Sequence, residues 1–474
     1  MSREPVASPR VGVQLGILVL ATMVMILNET TFSVALPAIM EEFSLGAEIV
    51  QWLSTVFLLT LSVVIPTTGY LIERFPTRKL FGAAVFFFIL GSALGALAPA
   101  FWVLFIARII QACGTALIIP LMVTVTLTIV DPARRGFMMG INSVVISVAP
   151  ALGPTLAGFI LHLGSWHWLL IIMVILAVLI GIAGWKGLGN TGETRVLPLD
   201  FPSLVLCAVS FGCIVYALTT MGTIITAGSW IPALVFILGL AILAIFVRRQ
   251  IRLQQNDMAF LDMRPFKSRN FTVSVIMIFL TMGVILGTVN LMPIYLSNGL
   301  GLSSLVIGMM LFPGGLTQGV LAPIVGRLYD SFGPRPLVIP GAILMVISQL
   351  LLFWDASTIT KIVVALVMLN VGAGLVNPPI NTVSLGSLPQ SLMSHGSASL
   401  NSLQQLGAAA GTAALIGALT LTAGGTTEGA SPAAISQGAT AAFVVAAIMC
   451  VGLVICAPLL TRLPAIETKT DTAA

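Results

Sequence analysis

Fourteen apolar runs, each long enough to cross a bilayer, dictate what this chain can become. A spanning helix needs about 20 apolar residues. Such runs occupy about 11–36, 49–72, 80–98, 101–128, 137–161, 167–187, 200–222, 229–248, 271–297, 303–327, 337–355, 359–386, 396–422 and 437–461. Only 8% of the 474 residues are charged, against about a quarter in soluble domains, and the mean hydropathy is +1.10. So few charges cannot solvate the surface of a water-soluble protein. In lipid every backbone N–H and C=O needs an internal partner, so the runs are predicted to be helices. The expected class is an all-α integral membrane protein with 14 transmembrane helices. An even number of spans puts both termini on one side.

The basic residues say which side. Place the N-terminus, the loops after even-numbered spans and the C-terminus in the cytoplasm, as the positive-inside rule requires. Nineteen of the 21 Lys and Arg then fall there: Arg3, Arg10, Arg74, Arg78, Lys79, Arg134, Arg135, Lys186, Arg195, Arg248, Arg249, Arg252, Arg264, Lys267, Arg269, Arg327, Arg335, Arg462 and Lys469. Lys361 falls outside and Arg108 lies within a span, while the outer loops carry Glu41, Glu42, Glu48, Asp355 and Glu428. The net charge of +5 therefore implies contact with anionic lipid headgroups rather than nucleic acid. The expected location is the cell membrane, with both termini cytoplasmic. The first apolar run follows two arginines as a secretory signal would, but its length and Glu29 mark it as a retained span.

Several function classes find no support. The five cysteines, Cys113, Cys207, Cys213, Cys450 and Cys456, sit inside apolar runs without a CxxC pair or a nearby histidine, so no metal site is expected. No G-x-x-x-x-G-K-[ST] loop occurs, which argues against direct nucleotide drive. A membrane-embedded enzyme would need clustered acids or histidines near an interface, and His162, His167 and His395 are scattered over separate loops. Transport of a small solute remains the leading reading, and no cofactor is expected.

Two cytoplasmic loops repeat each other. After the second span the chain reads Gly69-Tyr-Leu71-Ile-Glu73-Arg74-Phe-Pro76-Thr-Arg78-Lys79, and after the tenth Gly326-Arg-Leu328-Tyr-Asp330-Ser-Phe332-Gly333-Pro-Arg335. Both follow G-x-L-x-[DE] with an arginine at the tenth position. Repeats of this kind build transporters from two halves around a site at the midplane. The glycine permits close helix approach, the carboxylate can cap a neighbouring helix N-terminus, and the arginine can pair across the halves. The stretch 249–270 is the one long polar linker; its basic face is expected either on headgroups or free in solvent.

Two charged side chains lie deep within spans, Glu29 and Arg108. Ionisable groups at such depth cost several kcal/mol and face a cavity or a partner. Glu29 lies seven residues before the outer end of its span near Leu36, and Arg108 seven residues after the outer end of its span near Phe101. At 1.5 Å per residue each is about 10 Å below the outer boundary, so the two can meet. Desolvation and Arg108 would pull the Glu29 equilibrium in opposite directions, which lets conformation switch its protonation. Two roles are open: a proton carrier for which a cationic solute competes, or a static ion pair bracing two helices.

These residues resemble a known family. The loop pair is similar to the G-x-L-a-D-r-x-G-r-[RK] motif of the major facilitator superfamily and its echo in the second half. Fourteen spans, with two helices inserted between six-helix halves, resemble the drug:proton antiporter branch of that family. Leu27-Asn28-Glu29-Thr30-Thr31 through Ala35-Leu36-Pro37 is similar to the branch's L-D-x-T-x-x-x-x-A-L-P, and Arg108-Ile-Ile-Gln111-Ala112-Cys113-Gly114 to R-x-x-Q-G-x-G. Ala149 through Gly153-Pro154 to Ala157-Gly158 is similar to the antiporter motif G-x-x-x-G-P-x-x-G-G. Asn28-Glu29-Thr30 looks most like the lincomycin-resistance subgroup. This chain departs from the pattern where Asn28 stands for the usual aspartate and the acid moves to Glu29, about 100° round the helix. Glu73 replaces Asp, Pro76 replaces Gly, and Ala112, Ala149 and Ala157 replace glycines.

The resemblance implies a major facilitator fold of two six-helix bundles plus two inserted helices. The bundles would be 1–187 and 271–461, with the inserted pair at 188–248, the linker at 249–270 and a tail at 462–474. It implies a proton-coupled antiporter, acting as a monomer, that exports small lipophilic or cationic compounds and antibiotics, lincosamide-like or multidrug, by alternating access. A carrier of a single metabolite, such as an amino acid or a lipid, is the alternative. Coupling would rest on Glu29, Arg108, Asn28 and Thr30. The gate would use Gly69, Glu73, Arg74, Arg78, Gly326, Asp330, Gly333 and Arg335, and the antiporter motif Gly153, Pro154 and Gly158. An adaptable cavity needs apolar walls with few polar anchors. Candidates at mid-span are Gln51, Trp52, Phe57, Gln111, Asn142, Asn290, Tyr295, Gln318, Asn370, Asn377 and Asn381, although membrane amides also serve as helix-to-helix hydrogen bonds.

Overall fold

The apolar runs form helical rods in a computed structural model that describes residues 9–131, 134–191, 200–221, 228–256, 258–302, 304–354, 356, 358–423 and 431–461. Arg3, Arg195, Asp355, Glu428, Arg462, Lys469 and the tail lie outside the described residues. The first half comprises α1 (Pro9–Phe43), α2 (Ala47–Val64), α3 (Thr68–Arg74), α4 (Thr77–Ala96), α5 (Phe101–Ile129), α6 (Arg135–Leu163) and α7 (His167–Gly187). Then come α8 (Phe201–Thr220) and α9 (Ile231–Leu253). The second half comprises α10 (Arg269–Ile294), α11 (Ser304–Phe332), α12 (Arg335–Trp354), α13 (Ile359–Gly386), α14 (Met393–Thr422) and α15 (Pro432–Cys456). Pro66 sits in a 3-10 turn, Ile65–Thr67, that breaks one rod into α2 and α3, because proline has no N–H to donate to the ladder. Among the described residues no strand occurs, and thirteen rods are long and apolar enough to span a membrane. The fourteenth rod is α6, at the place of the fifth expected span. The protein is a multi-pass membrane protein.

Packing separates the halves and then rejoins them. Within the first, α4 lies on α5 and α7, and α1 on α6 and α7; within the second, α10 lies on α14 and α12 on α13 and α15. The inserted α8 and α9 pack on each other, and α8 also lies against α2 and α14. Between halves the main pairings are α6 with α11 and α3 with α14. Alternation of rod direction gathers the described arginines and lysines, Arg108 and Lys361 excepted, at one end of the molecule, here the basic end.

At that end α6 and α11 cross backbone to backbone. A Cβ on Gly326 would strike the Gly136 carbonyl, and one on Gly140 would strike that of Ala322. Such an approach is open only to residues without side chains, the way small residues set helix crossings in membranes. Gly319 against Val148 marks about mid-depth.

Part of the linker packs into the protein. Helix α9 extends to Leu253, so Arg249 and Gln250 belong to it. Ala259, Phe260, Leu261 and Asp262 are buried, while the basic residues Arg252, Lys267 and Arg269 stay exposed. Apolar residues at that position gain more from burial than the polar sequence around them gains from solvation.

Glycines along α6 should therefore respond differently to a methyl group. A Cβ on Gly158 would meet nothing within 4 Å, so Gly158→Ala is expected to be neutral or stabilising by about 1 kcal/mol. Gly140→Ala is expected to destabilise by about 1–3 kcal/mol through overpacking. Thermal unfolding of the purified protein distinguishes the two.

Candidate functional site

The site begins with a charge that the bilayer cannot solvate. Arg108 on α5 is 1% exposed. Its Nε donates to the Leu53 carbonyl at 3.3 Å, and its Nη1 to Gln111 Oε1 at 3.0 Å. Gln111 in turn donates to Ser92 Oγ at 2.9 Å. The guanidinium carbon lies 4.2 Å from the ring centre of Phe32 on α1 and 4.1 Å from that of Phe57 on α2. Two ring faces thus flank the cation and replace water with quadrupoles. Phe57 and Gln111, expected on a cavity wall, are instead buried around Arg108.

Glu29 and Arg108 are brought within electrostatic reach of each other, at the depth where their span positions put them. Glu29 is partly accessible, whereas its neighbours Asn28 and Thr31 are 1% exposed. Asn28 Nδ2 finds no hydrogen-bond partner among the described residues. Thr30 turns to α6, where a Cβ on Gly153 would strike its side chain. Ala149, Gly153 and Ala157 recur every four residues and are buried together. Gly158 is exposed on the other side of the helix, so Ala157 rather than Gly158 continues the buried face of the antiporter motif. The side chain of Pro154 lies outside the described residues.

The repeated loops form two links between the halves. Asp330 Oδ1 accepts from the Gly136 N–H at 2.9 Å, and Oδ2 from the Phe137 N–H at 3.0 Å. These are orphan donors of the first turn of α6, where a carboxylate is favoured by the helix dipole. Arg327 covers the Phe137 ring at 4.4 Å. Glu73 reaches the start of α14, accepting from Ser394 Oγ at 2.9 Å, with His395 Nε2 3.2 Å away. A Cβ on Gly69 would press on His395 and Ala398.

The arginines do something else. Arg78 donates to the Trp185 carbonyl and lies over its ring at 4.9 Å. Arg335 donates to the Leu460 carbonyl at 2.6 Å. Each thus ties its loop to the last rod of its own half, a correction to the expectation of pairing across halves. Arg74 stays beside Tyr70, donating to its hydroxyl. Gly333, at φ 81°, ends α11 in the left-handed conformation and donates to the Tyr329 carbonyl at 2.8 Å.

The remaining cavity candidates divide. Gln51, Trp52 and Asn290 are exposed; Trp52 stacks on Tyr216 of the inserted α8 at 6.2 Å, and Asn290 donates to Thr412 at 3.2 Å. Tyr295 is buried, its hydroxyl on the Ala356 carbonyl at 2.7 Å. Asn142 is buried and donates to Thr126 at 3.0 Å. Gln318 is buried against Gly374, Asn377 is buried with Oδ1 unpaired, and Asn370 and Asn381 donate to backbone carbonyls one turn back. Ser394, Ser92, Thr412 and Tyr216 were missed from sequence, and His395, read as a loop residue, is buried in the first turn of α14. A polar residue at a helix start was the available signal for Ser394.

Residues 18–412 match the sequence profile of the Major Facilitator Superfamily. The chain is 36% identical over 440 residues to "Lincomycin resistance protein LmrB" of Listeria monocytogenes, covering 90% of this chain and 92% of that one. It is 30% identical over 404 residues to "Multidrug export protein EmrB" of Haemophilus influenzae, covering 83% and 77%. The crystal structure of the human organic anion transporter MFSD10 superposes with a TM-score of 0.68 at 16% identity, covering 96% of this chain and 100% of that one.

Gln111→Leu leaves the Arg108 Nη1 without its acceptor. It is expected to lower stability by about 1–3 kcal/mol, read as a lower melting temperature in detergent. Gln111→Glu, which restores an acceptor, should recover most of the loss.

Proposed function

Because the chain belongs to the major facilitator superfamily, a family of membrane transporters, we propose that it is a proton-coupled antiporter exporting small lipophilic or cationic compounds. Antibiotics of the lincosamide kind would be among them. The observation that carries this reading is Glu29, a carboxylate within a membrane helix that lies within electrostatic reach of the buried Arg108 guanidinium. The names of the relatives, one for lincomycin resistance and one for multidrug export, support the class of cargo.

The basic end is read as cytoplasmic, which puts both termini inside and the protein in the cell membrane. Contacts of Asp330 and Glu73 then close the cytoplasmic side, and Glu29 takes its proton from the outer side. Protonation removes the attraction to Arg108 and displaces a bound cation from the same place. When the halves rock the other way, Glu29 loses the proton to the cytoplasm and its carboxylate again favours a cation. Competition between proton and solute for one group is sufficient to couple them, because a ligand shifts an equilibrium only through differential affinity. The proton gradient is the energy source; no cofactor and no enzymatic step enters the cycle. One chain supplies both halves, so a monomer suffices.

Efflux from energised cells tests the reading, with lincomycin and several lipophilic dyes as cargo. Wild type is expected to export them uphill, a protonophore to abolish export, and Glu29→Gln to fall to the passive leak while still binding dye. Retained pH-dependent export by Glu29→Gln would make the Glu29–Arg108 pair a static brace. Export of none of these compounds would point instead to a carrier of one metabolite.

A further inference from the structure

The segment between the inserted helices and the second half is built as a wedge, not a tether. Gln250 Oε1 accepts from the backbone N–H groups of Phe260 at 2.8 Å and Leu261 at 3.1 Å, while its amide donates to Ser203 Oγ at 2.6 Å. One buried side chain therefore fixes the segment to both inserted helices. Arg249 grips Asp200 with two bonds of 3.0 and 2.8 Å, locking the same end of the pair. The Asp200 carboxyl is held below its ordinary range, chiefly by that hydrogen bond.

What the segment presents is an aromatic ring at the seam between the halves. Phe260 stacks on Tyr70 with ring centres 5.5 Å apart and planes at 27°. The same apolar cluster contains Leu261, Cys207 and Phe211 of α8, Phe246 of α9 and Ala398 of α14. Tyr70 belongs to the first half and Ala398 to the second. Both lie in the cytoplasmic gate: Tyr70 follows Gly69, whose Cβ position abuts His395 and Ala398, and precedes Glu73 by three residues.

Opening the cytoplasmic side requires α3 to leave α14, so the cluster cannot keep Tyr70 and Ala398 together around Phe260. We propose that Phe260 is a gating residue, a bolt supplied by the insertion that favours the state closed to the cytoplasm. The two inserted helices are then the mount of that bolt and set the ratio of closed to open molecules. Removing the ring shifts the ratio toward the open state without touching Glu29, Arg108 or the carboxylate links. The inference rests on the alternating-access reading above, but not on what is carried or on how protons are coupled.

Hydrogen exchange of the purified full-length protein, without substrate or proton gradient, reads the gate directly. In Phe260→Ala, peptides covering 68–76 and 393–404 are expected to exchange roughly tenfold faster, while α4 and α12 keep wild-type rates. An unchanged gate, or faster exchange confined to α8, α9 and the linker, overturns the proposal. Should Phe260→Ala exchange faster everywhere, Phe260→Leu and Gln250→Ala decide. A rise confined to the gate in either supports the bolt, and its absence in both removes it. Failure here leaves the role of Glu29 intact, since export was not measured.

Discussion

A guanidinium with almost no exposed surface, at depth in a membrane helix, has to be stabilised by the protein itself. Desolvating such an ion costs several kcal/mol, and removing one partner of a buried charge is more damaging than never having placed it. Arg108 meets this constraint by drawing on four rods. Phe32 comes from α1, Phe57 and the Leu53 carbonyl from α2, Ser92 from α4 by way of Gln111, and Arg108 itself from α5. The packing of the first half is thereby pinned at one depth. Such pinning suits a half that rocks as one body about a central site. It also places a buried cation within electrostatic reach of Glu29.

Links between the halves are of a different kind. Asp330 and Glu73 occupy equivalent places in the two loops, and each reaches the beginning of a helix in the opposite half. The partners are not equivalent. Asp330 takes two backbone N–H groups, whereas Glu73 takes the side chains of Ser394 and His395. Both sets exist only while the halves touch at the basic end, so they favour one of two arrangements of rigid bodies. The arginines five places on, Arg78 and Arg335, hold their own halves together. One loop sequence thus serves both cohesion within a half and attraction between halves.

Much of this was legible in the chain. Hydropathy marked where the rods lie, thirteen of them long and apolar enough to span among the described residues, because in lipid a long apolar run has no other stable form. The repeat located both carboxylates, and counting residues from the span ends placed Glu29 and Arg108 at a common depth. Helix phase at finer grain was less legible. On α6 it is Ala157, four residues after Gly153, and not Gly158 that continues the buried face. Gln111 and Phe57 looked like cavity residues because an amide and a ring are equally suited to line a cleft or to surround a cation. The linker was least legible of all. Its polar sequence gives no sign that Gln250, ten residues away, satisfies the backbone of Phe260 and lets the ring be buried.

The central claim is that proton and solute compete for Glu29. Proton release on binding tests it most directly, using purified protein in weakly buffered detergent solution and a lipophilic cation such as tetraphenylphosphonium as probe. The account predicts that wild type releases protons when the cation is added at mildly acidic pH, and that Glu29→Gln binds the cation without releasing any. Release of the same size from Glu29→Gln, or binding by wild type with no release, would contradict it.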